Sequence, residues 1–165
     1  MRKISSLVLL LWVMILSWCG WSMNVVEYND SFVDLVKECT DSTQKLFEVF
    51  KAEGSTLDSI SESLQECIDL CQNAQSKAVQ IWDYEKDSSL KDAVVSLLTM
   101  EVDYLQKFWN TSHYRNIDNI SDEDKEAYDW IVSDLNQAQN ELNQQFTNLQ
   151  DVQEAFAAKY WLKLE

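Results

Sequence analysis

From Tyr28 onward, apolar residues recur at Phe32, Leu35, Val36, Cys39, Leu46, Phe47 and Phe50, the three-and-four spacing that gathers side chains on one face of a helix. Asn29, Asp30 or Ser31 can cap its start. The pattern breaks at Glu53-Gly54-Ser55-Thr56, where Gly54 suits a left-handed helix end and Ser55 an N-cap with Asp58 as its capping-box partner. A second face follows through Leu57, Ile60, Leu64, Cys67, Ile68, Cys71, Ala74, Ala78 and Ile81, ending near Tyr84. Asp87 or Ser88 is placed to cap a third helix, with the face Leu90, Val94, Leu97, Tyr104 and Phe108, which stops before the polar stretch 110–121. Ser121-Asp122-Glu123-Asp124 reads as a capping box whose carboxylates favour the positive end of a helix dipole. The long helix it opens carries Tyr128, Ile131, Leu135, Ala138, Leu142, Phe146, Leu149, Val152, Phe156 and Tyr160 on a coiled-coil-like seam.

Helices joined in this order by short turns neighbour one another in space, so the expected fold is all-α, an up-down-up-down four-helix bundle over residues 23–165. The connection 110–120 is longer and leaves room for variation there. The aromatic residues Phe32, Phe47, Phe50, Trp82, Phe108, Trp109, Trp130, Phe146, Phe156 and Trp161 could line a ligand cavity in a bundle, but at helical spacing they are expected to be core. Glu101 falls on the apolar stripe of the third helix, where burial would raise its pKa, and is the candidate functional carboxylate. Lys107 or a tyrosine hydroxyl is its expected partner.

Composition sharpens this picture. The 165 residues include 2 Gly and no Pro, too little turn punctuation for an all-β fold, and 46% hydrophobic content supplies one packed domain. Residues 1–22 stand outside the helical pattern. Arg2 and Lys3 precede an apolar run from Leu7 to Trp18 and then small residues, the three regions of a secretory signal peptide. The run is short for a membrane span.

Cleavage after Ser22 would use Gly20 and Ser22 as the small residues. Leu16-Ser17-Trp18-Cys19 also resembles the bacterial lipobox, in which the cysteine is diacylated and becomes the new N-terminus; Trp18 stands where that pattern has a small residue. Lipidation at Cys19 and simple release after Ser22 both remain open. Either route exports the protein to the periplasm or cell surface, with membrane attachment only through the lipid.

The chain has 13 Lys+Arg against 28 Asp+Glu, a formal charge of -15, and loss of the leader removes Arg2 and Lys3 and no acid, which makes it -17. Such a surface repels phosphates, so no nucleic-acid partner is expected. It suits a solvated exported domain, or one with a basic partner.

Tyr28-Asn29-Asp30-Ser31-Phe32-Val33 near the start and Gln153-Glu154-Ala155-Phe156-Ala157-Ala158-Lys159-Tyr160 near the end, with Leu90-Lys91-Asp92-Ala93 between them, carry a resemblance. They resemble a family of short bacterial surface lipoproteins, the leptospiral-type surface protein family. That resemblance covers most of the mature chain and implies a helical surface or periplasmic protein of uncharacterised function, without an active site.

The catalytic inventory is sparse. The single histidine, His113, lies in the polar connection and reads as an exposed loop residue. A di-iron bundle needs two Glu-x-x-His pairs, and neither these nor a Cys-x-x-Cys-His haem attachment is present; two glycines cannot build a phosphate-cradling loop. No cofactor or metal is expected, since three thiolates without histidine in an oxidising compartment make a poor metal site.

Cys39, Cys67 and Cys71 remain after Cys19, so at most one internal disulfide forms. Residues equidistant from a hairpin turn lie opposite each other; Cys39 and Cys71 have their midpoint at residue 55, inside the Gly54-Ser55 turn, whereas Cys39 and Cys67 have theirs at 53. Cys39–Cys71 is the expected bond, the alternative being three buried thiols that never pair. The functional expectation is a non-enzymatic binding or structural module for a protein, an envelope component or a small ligand. The alternative is a small exported enzyme that uses a buried carboxylate such as Glu101.

Overall fold

The computed structural model describes residues 23–112 and 122–163. Cys19, His113 and the capping box at Ser121 lie outside the described residues. Four α-helices are found among those described: α1 (Val25–Lys51), α2 (Leu57–Gln80), α3 (Ser89–Ser112) and α4 (Asp122–Tyr160), forming an all-α four-helix bundle in which consecutive helices pack together. None of them is long and apolar enough to cross a membrane.

The caps of α1 and α2 differ from the expected ones by one to several residues, whereas α3 starts at Ser89 with Asp87 and Ser88 ahead of it, as expected. The N-cap of α1 is Asn24, whose side chain accepts from the Val26 and Glu27 amides at 3.0 Å while the Glu27 carboxylate accepts the Asn24 N–H at 3.1 Å. The helix therefore starts a turn earlier than Asn29 to Ser31 would have it, because Asn29 is buried against α4 instead of capping. Gly54 does take the left-handed conformation, with φ at 84°. Thr56, not Ser55, caps α2, with Ser59 in place of Asp58 as the reciprocal partner. Ser55 instead donates its hydroxyl to the Val49 carbonyl at 2.5 Å, tying the turn back to α1. Helix α3 continues to Ser112, into the stretch expected to be polar connection.

Between α2 and α3 the chain reverses in a tight turn, with Glu85 and Lys86 both at positive φ and the Asp87 N–H donating to the Tyr84 carbonyl at 2.8 Å. Neither residue favours that conformation, so its surroundings must hold it. Tyr84 packs edge-on to Phe156 and Tyr160 of α4, and Asp87 accepts from Lys159 at 2.6 Å. Asp87 also accepts from the Ser89 amide at 3.0 Å, which starts α3. At this same C-terminal end of α4, Trp161 is left-handed and the Leu162 N–H reaches back to the Ala157 carbonyl, a Schellman closure without glycine.

The main core runs from Tyr28, Phe32 and Phe156 at this end through Cys39, Cys71 and Leu98 to Leu46, Leu64 and Phe108. Several aromatic residues expected in the core are not there: Trp82, Trp130 and Trp161 are 82%, 69% and 92% exposed, and Phe146 is partly exposed. Trp82 and Trp161 sit beyond the ends of α2 and α4, where helical spacing no longer governs which way a side chain points.

Candidate functional site

Helices α1 and α4 do not close against each other along their whole length. At one end Gln153 Nε2 donates to Asn29 Oδ1 at 3.0 Å, and Phe156 stacks on Tyr28 with centroids 5.5 Å apart. Beyond this clasp the two helices flank a cleft of about 470 Å3 floored by α3. Glu101 and Tyr104 form the floor, Thr43 and Phe47 belong to the α1 wall, and Asn143 and Phe146 belong to the α4 wall. A second depression of about 280 Å3, sharing Thr40 with the first, lies on the clasp side.

Glu101 is 5% exposed, as its place on the stripe of Val94, Leu97, Tyr104 and Phe108 requires. Thr43 donates its hydroxyl to Glu101 Oε1 at 2.7 Å; the expected partner Lys107 instead bridges Asp103 and Asp134 at 3.2 and 3.3 Å, linking α3 to α4. Lys107 lies six positions on from Glu101, which turns it away from the buried stripe. The second carboxylate oxygen of Glu101 takes no hydrogen bond from the described residues.

Thr43 Oγ1 also lies 3.2 Å from the Cys39 carbonyl and 3.5 Å from Cys67 Sγ. A hydroxyl has one proton to give. An ionised Glu101 takes that proton, whereas a protonated Glu101 donates its own to Thr43 Oγ1 and leaves the Thr43 proton to the Cys39 carbonyl. The Thr43 hydroxyl thus has a partner in both states.

Burial pushes the Glu101 carboxyl above its ordinary 4.5, against the Thr43 hydrogen bond, which favours the charged form. Burial also raises Tyr104 and the Cys67 thiol, and the Glu101 charge adds to both; bonds from Ser42 and Thr43 oppose the rise at Cys67. A thiol held protonated in this way is a poor nucleophile and metal ligand.

Cys39 and Cys71 form a disulfide, with Cα atoms 4.8 Å apart, and Cys67 is the buried free cysteine. The register that pairs residues 39 and 71 also places Thr43 opposite Cys67. With two of the three sulfurs bonded, the three-thiolate cluster does not form, and no group of three or more potential ligands is placed for a metal among the described residues. Thr43 is the site residue that sequence reasoning missed. Its signal was available, because positions 43 and 67 share the midpoint 55 with the disulfide pair.

Comparison with protein-family models, with curated proteins and with solved structures finds no match.

Proposed function

We propose that this chain is an exported, envelope- or surface-associated helical bundle that acts as a non-enzymatic binding module and holds a small ligand in the α1–α4 cleft. The observation that carries this reading is the opening of the seam above Glu101, a buried carboxylate with an oxygen left unbonded at the bottom of a cleft. That oxygen is not sealed from solvent, so it stands ready to take a hydrogen bond from a ligand that enters the cleft. Catalysis is the weaker reading. Tyr104 and Cys67 are both held in their neutral forms, and burial and the Thr43 hydrogen bond account for the Glu101 shift without a charged neighbour, so no acid-base pair or activated nucleophile converges there.

Export is supported by the leader pattern of residues 1–22, by the lipobox-like Leu16 to Cys19, by the disulfide, and by the resemblance to surface lipoproteins. The end of the bundle where residue 23 enters α1 also carries the exposed Trp82 and Trp161 rings, which suit a membrane–water boundary. Two measurements test the reading. Intact-mass analysis of native protein should show loss of the leader, with a diacylglycerol addition if Cys19 is processed; full-length cytoplasmic protein refutes export. Native mass spectrometry of the envelope-extracted protein should show a bound small molecule that Asn143→Trp, filling the cleft from its exposed wall, displaces. A bound species that persists in that variant refutes the cleft as its site.

A further inference from the structure

The cleft has a recognisable chemistry. Its deepest polar group is a carboxylate with one oxygen occupied by Thr43 and one unbonded. Around it stand three rings: Phe47 and Tyr104 have centroids 6.4 Å apart, and Phe146 belongs to the opposite wall. An ammonium group beside Glu101 would give its second oxygen a charge-assisted hydrogen bond and neutralise the charge, while aromatic rings lining the cleft favour a cation and an apolar body together.

Resting on the reading of this cleft as a ligand site, we infer that it binds a small organic cation: an ammonium group carried on an apolar or aromatic body. The ammonium pairs with Glu101 and the body lies among Phe47, Tyr104 and Phe146. An anion is disfavoured by Glu101 and by the net charge of the chain. For a divalent metal, no group of three or more His, Cys, Asp or Glu side chains is placed to hold it among the described residues. The volume of about 470 Å3 fits a body of small-ligand size.

Pairing with a cation requires Glu101 to be ionised, so ligand binding must displace the proton that burial favours. Affinity should therefore rise with pH through the Glu101 titration and level off above it. The titratable or charged groups on the surrounding elements are Glu48 and Lys51 of α1, Cys67 of α2 and Tyr104 of α3 itself; α4 lines the cleft with Gln139, Leu142, Asn143 and Phe146, none of them charged. Burial keeps Cys67 and Tyr104 neutral across this range, which leaves Glu101 as the group whose titration the binding profile follows.

Titration calorimetry on the exported protein with three matched probes tests the inference: phenethylamine, its neutral isostere 2-phenylethanol, and the anion phenylacetate. Phenethylamine should bind, the other two at least about tenfold more weakly, consistent with one charge-assisted hydrogen bond. Glu101→Gln keeps the side-chain shape and the Thr43 bond; it should abolish the preference for the amine and flatten its pH profile. Phe146→Ala, at a partly exposed position that does not threaten the fold, should weaken phenethylamine severalfold and leave unfolding unchanged. Equal binding of amine and alcohol, unaffected by Glu101→Gln, overturns the cation assignment and leaves the cleft as a ligand site. Absence of binding by all three at millimolar concentration overturns both.

Discussion

Thr43 on α1 and Glu101 on α3 are joined at 2.7 Å across the middle of the bundle, the buried side-chain hydrogen bond that ties these two helices at the floor of the cleft. Since burial outweighs this bond, the folded protein holds a proton on Glu101 more tightly than the unfolded chain does. The consequence for stability has a definite sign. Below the ordinary carboxyl value of 4.5 both states are protonated; as pH rises above it the unfolded chain ionises first, so stability falls until the folded-state value is passed. Urea unfolding at stepped pH should show this decline, and Glu101→Gln should remove it. Identical pH dependence in both proteins would contradict the assignment.

At lower pH the determinant is Asp87. The Lys159 hydrogen bond, followed by those from Ser89, lowers its carboxyl from 3.8 to about 2. Its stabilising contribution is present above 3.8 and is lost as pH falls toward 2. Asp87→Asn should therefore flatten the acid limb of the stability curve in that window while leaving the Glu101-dependent decline in place. Lys159→Met should reproduce part of the effect.

Non-reducing peptide mapping should recover Cys39 linked to Cys71 and Cys67 as a free thiol. Closing a loop with a separation of 32 residues stabilises the hairpin by roughly 3 to 4 kcal/mol in the chain-entropy model. That is a large share of a small domain's stability of about 5 to 15 kcal/mol. Cys39→Ala/Cys71→Ala should lower the urea midpoint accordingly. A map linking Cys67 to either partner would overturn the register.

Tyr28 is 2% exposed, and its hydroxyl faces the Tyr84 backbone without making a hydrogen bond of sound geometry. Burial pushes its pKa up to about 12. The ring itself is held by Phe32, Tyr84 and Phe156. Removing only the oxygen takes away an unsatisfied group and keeps the packing, so Tyr28→Phe should be neutral or stabilising by up to about 1 kcal/mol. A loss of stability on thermal unfolding would mean the hydroxyl has a partner in solution.

Much of the architecture was legible because periodicity is a local signal. The spacing of Leu90, Val94, Leu97, Glu101, Tyr104 and Phe108 places them on one buried face whatever packs against it. The hairpin register was legible too, since a short turn at Gly54 leaves an antiparallel pair little freedom. Capping was less so: Asn24, Thr56 and the Glu85-Lys86 turn show that polar side chains near a helix end compete for the same amides, and neighbours in space choose among them. Trp82 and Trp161 misled because they lie just past the last periodic residue.

By itself, the sequence determined the helical class, the buried faces, the partner of Cys39 and the burial of Glu101, all of which follow from chain geometry over one or two turns. Only the tertiary structure decided that Thr43 and not Lys107 meets Glu101, and that α1 and α4 meet at Tyr28 and Phe156 yet leave a cleft beside Phe146. The reason is physical: spacing along one helix says which face turns inward, but the gap between the first and last helices depends on how all four pack. No stretch of sequence holds that sum locally.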